Sequence, residues 1–231
     1  MCGRFERHRN VNKLTELVTG LHPPKHEQDR PSYNIAPSQH ILLARNVRNG
    51  EREWTTMSWG LLPFWAKDLK VSKPINARAE TVHEKPYFRE AFKHRRCLVA
   101  ADGYYEWQKT DNGKQPYYIT LRQDEPFMFA GLWEKWKPKD GAEPIETCCI
   151  MTTDANAYTT QIHNRMPVIL EPQHYELWLD PEVNSRGDLE RALQPYHWVE
   201  KMQAWPVDKY VNRPANNDER CLERVEIRRG L

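Results

Sequence analysis

The chain has 231 residues, of which 39% are hydrophobic and 29% are charged, and its formal net charge is +2. This length and composition are typical of a globular protein with a sizeable core, and the near balance of charge excludes a uniformly basic surface. The five cysteines are odd in number and irregularly spaced, which favours reduced thiols in the cytoplasm over a disulfide framework. No C-x-x-C pair occurs, so we expect neither a metal site nor another cofactor. No segment has the length of a membrane helix or the apolar stretch of a signal peptide.

The first chemical signal is at the N-terminus, where Met1 is followed by Cys2. The small side chain at position 2 permits removal of the initiator methionine, which leaves Cys2 with a free α-amine beside its thiol. The ordinary pKa values of these groups are about 8.0 and 8.5, so a fraction of each is nucleophilic near neutral pH. Such a pair suits an aldehyde, because the amine forms a Schiff base and the thiol then closes a five-membered thiazolidine. The alternative is that cysteine stands here by chance.

Taken in chain order, the apolar pattern predicts short helices and groups of strands. Helices are expected at residues 12–20, 87–94, 172–179 and 189–193. Strands are expected at residues 41–44, 54–61, 98–101, 116–121, 127–133, 147–152, 168–170 and 205–207. Asn49-Gly50 and Asp111-Asn112-Gly113 are turn signals between paired strands, and the polar segment from Arg213 onward is predicted to be loose. The fold class indicated is α+β, a single domain over residues 1–231 with an antiparallel, barrel-like β core flanked by short helices.

Two titratable side chains lie in apolar sequence surroundings, where packing of a core does not explain them. Glu106 lies between aromatic residues at the end of a buried strand, where an apolar setting would raise its pKa and suit it to shuttling protons. A glutamate bonded to backbone or to an arginine is the alternative interpretation. His163 precedes a strand, and its ordinary pKa near 6.5 suits an acid or base that faces Cys2. A structural or surface histidine is the alternative there.

Several polar and aromatic side chains are candidates for ligand contacts. Asn76 and Arg78 alternate with alanines, so an extended segment would point both to one face, where an amide and a guanidinium suit a hydroxyl-rich or phosphate-bearing group. Arg4 lies two residues from Cys2 and is placed to hold a phosphate. Trp65 follows a proline-containing turn and is a candidate rim aromatic. The basic run at residues 93–96 is expected to be a solvated helix end.

Six sequence blocks together resemble the SRAP family, the SOS response-associated peptidases that process abasic sites in bacteria and eukaryotes. Each block alone is a weak signal, but all six occur in the family's order between residue 2 and about residue 212. The blocks are Cys2-Gly3-Arg4-Phe5, Tyr33-Asn34-Ile35-Ala36-Pro37, Trp59-Gly60-Leu61-Leu62-Pro63, Asn76-Ala77-Arg78-Ala79-Glu80-Thr81, Arg96-Cys97-Leu98-Val99 with Asp102-Gly103-Tyr104-Tyr105-Glu106-Trp107, and Ile162-His163-Asn164-Arg165-Met166-Pro167.

The resemblance implies that the protein binds single-stranded DNA at an abasic site and forms a thiazolidine crosslink with the ring-opened sugar. Carried over by position, Cys2 is the nucleophile, Asn76 contacts the abasic sugar, and Glu106 and His163 transfer protons. The implied DNA-binding residues, of which the arginines contact phosphates and the tryptophans stack on flanking bases, are Gly3, Arg4, Trp65, Arg78, Trp107 and Arg165.

The resemblance also implies properties of the protein as a whole. A Schiff base can undergo β-elimination, so a weak lyase side activity is expected, and the peptidase label implies self-removal of Met1. The family's eukaryotic members carry a C-terminal extension that this sequence lacks, which indicates a bacterial type. We expect a cytoplasmic monomer, associated with the nucleoid when bound to DNA.

Two other classes of protein remain open from the residues. N-terminal-nucleophile glutamine amidotransferases also begin Met-Cys-Gly and use the α-amine as a base, but they have no need of Arg4 and Arg78 near the nucleophile. Their activity would release ammonia from glutamine. A binding module for single strands or modified bases would keep Trp65 and the arginines, yet it would be indifferent to Cys2→Ala.

Overall fold

The computed structural model describes residues 2–25, 29–47, 50–183 and 185–226. Met1 lies outside these ranges, and so does Asn49, the first residue of the predicted turn Asn49-Gly50. The strands within them are β1 Phe5–Arg7, β2 Ser32–Ile35, β3 His40–Asn46, β4 Arg52–Trp59, β5 Asn76–Arg78, β6 Arg96–Ala101, β7 Gly103–Thr110, β8 Gly113–Leu121, β9 Phe127–Trp136, β10 Ile145–Asp154, β11 Arg165–Pro167, β12 Ile169–Leu170 and β13 Met202–Pro206.

All four predicted helices are present, and most are shorter than the periodicity predicts. A single turn of 3-10 helix, Pro172–His174, precedes the third of them. The α-helices are α1 Asn12–Glu16, α2 Arg89–His94, α3 Tyr175–Leu179 and α4 Arg186–Ala192. Among the described residues, no helix combines the length and the apolar character needed to cross a bilayer.

Five strands close into a ring that forms the core of the fold. β10 pairs with β4, β4 with β3, β3 with β6, β6 with β9, and β9 again with β10. All of these pairings are antiparallel except that of β10 with β4. The predicted α+β fold with a barrel-like, mainly antiparallel core is therefore confirmed.

Both faces of the barrel strands are buried, as alternation along β10 shows. Cys149 and Met151 pack in a cluster that the helices cover, with Trp178 of α3 among its members. Cys148 and Ile150 pack in a second cluster that faces the other sheet. The two thiols on this strand are fully buried, as the apolar pattern predicts.

The second sheet contains five strands in the order β13-β8-β7-β1-β2. β1 is an interior strand of this sheet, since Phe5 opposes Ile35 of β2 on one side and Tyr104 of β7 on the other. Phe5 and Tyr104 join the same buried cluster as Cys148. The first residues of the chain are thus fixed between the two sheets.

The C-terminal segment is docked, so the prediction of a loose tail is wrong for residues 213–226. The side-chain oxygen of Asn217 accepts hydrogen bonds from the backbone N–H groups of Tyr33 and Asn34 at 2.6 and 3.0 Å. Cys221 is buried, and Arg224 forms a bridge to Val207. A polar composition misled the prediction because these polar groups satisfy the edge of β2. Residues 227–231 of the predicted tail lie outside the described residues.

Arg96 corrects the expectation of a solvated basic run after α2. Its side chain is 3% exposed and lies in β6, beneath the ends of α2 and α3. Helices leave carbonyl groups without partners at their C-termini, and the guanidinium supplies donors to them. The acceptors are the carbonyl oxygens of Trp178 (2.7 Å), Phe92 (2.7 Å), Lys93 (2.9 Å), Val183 (3.1 Å) and Asp180.

Candidate active site

Cys2 lies at the start of the interior strand β1, completely shielded from solvent. The backbone N–H of Tyr105 donates to the carbonyl of Arg4 at 3.0 Å, which extends the β1–β7 pairing toward the N-terminus. The thiol of Cys2 lies 3.9 Å from the same carbonyl oxygen. Gly3, between Cys2 and Arg4, is half-buried. The central position of β1 therefore holds Cys2 beside β7.

Glu106 projects from β7 into this region and is 3% exposed. Burial raises the pKa of Glu106, and the nearby His163 opposes that shift. The direction agrees with the sequence-based prediction. Burial also raises the pKa of the Cys2 thiol, and the Glu106 carboxylate adds to the effect. The thiol is therefore protonated at neutral pH.

His163 shares a pocket of about 560 Å³ with Glu106. The backbone N–H of Arg165 donates to Nδ1 of His163 at 3.0 Å. An N–H group can only donate, so a neutral ring carries its proton on Nε2. The pocket walls come from β7, β8 and the turn before β11, and Trp107 lines it as well. Glu106 thus lies near Cys2, whose pKa its charge raises, and near His163, with which it lines the pocket.

Asn76 and Arg78 lie on β5, which runs parallel to β10 with Asn76 opposite Ile150. Ala77 between them is buried while Arg78 is exposed, so the predicted common face for positions 76 and 78 is confirmed. The amide nitrogen of Asn76 donates weakly to the Ile150 carbonyl at 3.4 Å. Its buried amide oxygen has no hydrogen-bond partner among the described residues. An orphaned acceptor of this kind is available to a ligand hydroxyl.

Arg4 and Trp107 are fixed by the docked C-terminal segment. The guanidinium of Arg4 donates to the Asn34 side chain and to the Val211 carbonyl, each at 2.7 Å. It also lies 5.9 Å from the centre of the Trp107 ring. The Trp107 indole N–H donates to the side chain of Asn212 at 2.8 Å. Arg4 is consequently positioned by neutral partners and keeps its full charge.

Arg165 is held by acidic partners. Its two terminal nitrogens contact the carboxylate of Glu80 at 2.8 and 2.9 Å, and one of them contacts Asp154 at 2.6 Å. A third contact, at 2.9 Å, is to the Thr152 carbonyl. These bonds tie the segment after β5 to β10 and β11. The phosphate contact assigned to Arg165 stays a prediction, and it would require the exchange of a carboxylate partner.

Trp65 is an exposed aromatic, as predicted for a rim position. Its side chain is 44% exposed and packs edge-to-face on Tyr87, with ring centres 5.1 Å apart. The indole N–H donates to the Pro86 carbonyl at 3.3 Å. The described residues that line the Glu106–His163 pocket do not include Trp65. Base stacking on it stays a prediction.

Tyr104 is a residue that the sequence reasoning missed. Its side chain is fully buried on the same face of β7 as Glu106, and its hydroxyl has no hydrogen-bond partner among the described residues. Burial raises the pKa of Tyr104, and the charges of Glu106 and Cys2 raise it further. The two-residue alternation of Tyr104 and Glu106 along one strand is the sequence signal that points to it.

Tyr104→Phe is expected to raise the free energy of unfolding by about 1 kcal/mol, because it removes a buried hydroxyl without a partner. Tyr105→Phe is the matched control, since the Tyr105 hydroxyl donates to the Tyr33 carbonyl at 2.7 Å. That substitution should lower the free energy of unfolding by about 1 kcal/mol. Urea denaturation at neutral pH measures both. Equal losses in the two variants would contradict the assignment.

One group of side chains has the donor types of a metal site. The ligand atoms of Glu6, His8 and Asp102 all lie within 4.8 Å of one another. They are already engaged, since His8 contacts Glu6 at 2.8 Å and the backbone N–H groups of His8 and Arg9 donate to Asp102 at 2.8 and 2.9 Å. The guanidinium of Arg9 also lies 3.7 Å from Asp102. Internal hydrogen bonds and a nearby positive charge account for this cluster.

Comparison with known proteins identifies relatives over nearly the whole chain. The family model described as SOS response associated peptidase (SRAP) matches residues 1–214. The chain is 42% identical over 226 residues to abasic site processing protein YoaM of Bacillus subtilis (strain 168), covering 96% of this chain and 98% of that protein. It is 34% identical over 230 residues to abasic site processing protein HMCES of Gallus gallus, covering 86% and 67%.

A crystal structure of a protein from Bacteroides thetaiotaomicron has the same fold, with a TM-score of 0.85 and 29% sequence identity. The similarity covers 97% of this chain and 100% of that one. The resemblance carried by the six sequence blocks is confirmed over nearly the whole chain. The protein belongs to the SOS response associated peptidase (SRAP) family.

Proposed function

We propose that the protein processes abasic sites in single-stranded DNA by forming a covalent thiazolidine crosslink through Cys2 after removal of Met1. The observation that supports this function best is the position of Glu106, whose charge acts on the buried Cys2 thiol and which lines one pocket with His163. Relatives across nearly the whole chain are named abasic site processing proteins. The crosslink would shield the damaged site during the response to DNA damage.

The first chemical step is attack of the Cys2 α-amine on the aldehyde carbon of the ring-opened sugar. A carbon–nitrogen bond forms, the two amine protons pass in turn to the former carbonyl oxygen, and that oxygen leaves as water to give the imine. Glu106 is suited to both transfers, because its raised pKa brings its protonated and ionised forms closer to equal population near neutral pH. His163 can donate from Nε2 to the aldehyde oxygen.

The second step closes the ring. The thiol adds to the imine carbon, a carbon–sulfur bond forms, and the thiol proton ends on the ring nitrogen. Because burial and the Glu106 charge keep the thiol protonated, it becomes a good nucleophile only as its proton passes to the imine nitrogen. The same imine can lose the 3′ phosphate by β-elimination, so slow lyase activity accompanies the reaction until the ring traps the imine.

The DNA contacts follow from charge and exposure. Arg78 is exposed to a backbone phosphate, unlike the half-buried Arg4 and Arg165, and Arg4 adds positive charge next to Cys2. Asn76 offers its unpartnered amide oxygen to a sugar hydroxyl. Trp65 and Trp107 would stack on the flanking bases, which selects single strands over a duplex. We infer that the protein is a cytoplasmic monomer and needs no metal. Met1 would be removed either by self-processing or by an aminopeptidase.

A denaturing gel tests the function with a single-stranded oligonucleotide that contains one abasic site. Wild-type protein should give a band that survives denaturation, and Cys2→Ala and an abasic duplex should not. Cys2→Ser keeps the amine, so its imine should appear on the gel only after reduction with borohydride. A wild-type protein without Met1, as shown by mass spectrometry, that gives no band would overturn the proposal. Ammonia release from glutamine would then test the amidotransferase alternative.

A further inference from the structure

The hairpin of β7 and β8 brings two lysines together at the mouth of the pocket. The turn places Thr110 opposite Gly113, and this register sets Lys109 directly opposite Lys114. Gly113 has a φ of +108°, which favours glycine and fixes the register. Side chains of opposed residues in an antiparallel pair have Cβ atoms about 4.5–5.5 Å apart. Two ammonium groups therefore share one small region of surface.

No described residue neutralises this pair. Neither Lys109 nor Lys114 forms an ion pair with any residue that the structure describes. Like charges directly opposite on a sheet are destabilising, so the pair costs the free protein some stability. A bound anion would convert that cost into attraction, because one negative group can contact both lysines at once.

The lysines belong to the same pocket as the reacting groups but lie at its other end. Both are exposed and line the pocket of about 560 Å³, whose buried end holds Glu106 and His163. Lys109 lies three positions after Glu106 on β7, about 10 Å further along the strand, and its side chain leaves the opposite face of the strand. A ligand group at the two lysines is therefore too far away to belong to the sugar at Glu106. The distance suits the phosphate of a neighbouring nucleotide in the same strand.

The pocket wall between the two ends is built in advance. The side-chain amide of Gln108 donates to the Gln161 carbonyl at 2.9 Å and ties the hairpin to the turn before β11. The side chain of Gln161 donates to the Tyr158 carbonyl at 3.0 Å. A strand of DNA would therefore meet a fixed channel with neutral amides along its side and positive charge at its mouth.

We propose that Lys109 and Lys114 form a phosphate subsite for single-stranded DNA, which binds a nucleotide adjacent to the one that reacts. This inference rests on the proposed function and adds a residue pair to it. Because the subsite is remote from the reacting atoms, it strengthens binding and does not change the rate of the bound complex.

The test is a salt series of fluorescence anisotropy titrations with a labelled single strand that carries a tetrahydrofuran abasic analogue, which has no aldehyde. The double variant Lys109→Gln/Lys114→Gln is expected to bind about tenfold more weakly and to lower the slope of log affinity against log salt by about 1. The maximal crosslinking rate with a natural abasic site, at saturating DNA, should be unchanged. Lys137→Gln/Lys139→Gln removes the same charge from exposed residues that do not line the pocket.

Two results would overturn the subsite. One is a Lys109/Lys114 variant whose affinity and salt slope equal those of the Lys137/Lys139 control. The other is a loss of maximal crosslinking rate without a loss of affinity. The proposed function is tested separately, because wild-type protein that binds the analogue with a lysine-dependent slope but never crosslinks would overturn the chemistry and support the subsite.

Discussion

Glu106→Gln is expected to slow crosslinking by about 100-fold or more, the range typical of loss of a general acid–base group. Glutamine keeps the size of the side chain but accepts no proton from the attacking amine and gives none to the departing oxygen. Single-turnover reactions on denaturing gels, with saturating abasic DNA, measure the rate. Anisotropy with the tetrahydrofuran analogue should show nearly unchanged affinity. A variant that crosslinks as fast as the wild type would remove Glu106 from the mechanism.

The same variant is expected to increase the stability of the fold while it slows crosslinking. A slow reaction could then not be explained by unfolding of the variant. Burial raises the pKa of Glu106 above its ordinary value of 4.5, so folding favours the protonated carboxyl. The stability from this group is full below the unfolded pKa and is lost as pH rises through the folded pKa. Glu106→Gln, which mimics the protonated form, should gain stability relative to the wild type across that interval. Urea denaturation over a pH series measures this. A difference in free energy of unfolding between Glu106→Gln and the wild type that did not increase with pH would contradict the expectation.

Arg96→Met is expected to lower the free energy of unfolding by about 3–5 kcal/mol. The substitution fills much of the volume but leaves buried carbonyl groups at the ends of α2 and α3 without donors. Burial lowers the pKa of Arg96 to about 10, which keeps the guanidinium charged at neutral pH. Urea denaturation at neutral pH is the measurement, with helical circular dichroism as the probe.

The controls for Arg96 lie within the same short segment. Lys93→Met removes an exposed charge from α2 and should change stability by no more than about 0.5 kcal/mol. Arg96→Lys keeps the charge with fewer donors, so its stability should fall between those of the wild type and Arg96→Met. If Arg96→Met were as stable as Lys93→Met, the guanidinium would not be what joins the two helices to β6.

The fold was predictable in kind because its strands carry the pattern that a buried sheet requires. The turn at Asp111-Asn112-Gly113 predicted the hairpin, and the apolar run at residues 147–152 predicted the central part of β10, one of the two longest barrel strands. The role of Arg96 was not predictable, because a basic residue after a helix usually faces water. Its burial depends on α3, which lies some 80 residues further along the chain. Such a contact leaves no local signal.

The candidate site divides in the same way. Cys2, Glu106 and His163 could be named from the sequence, because reactive side chains in apolar surroundings are conspicuous. Their proximity depends on the position of β1 in the middle of a sheet. A strand of three residues is too short for its position in the sheet to be predicted from sequence. The unpartnered hydroxyl of Tyr104 could not be predicted, because a tyrosine in a strand is usually interpreted as a core residue. The paired charges of Lys109 and Lys114 follow from the hairpin register and were available to prediction.

The interior position of β1 sets an order of events during synthesis. β1 is the first strand to leave the ribosome, yet β7, which covers it on one side, begins about 100 residues later. At about 5–20 residues per second, this interval lasts roughly 5–20 s. Pairing with β2 alone is only marginally stable in water, so Cys2 stays accessible throughout that interval and is completely shielded from solvent in the folded protein. If a separate aminopeptidase exposes the α-amine of Cys2, the nascent chain is therefore the state in which that enzyme reaches it most easily.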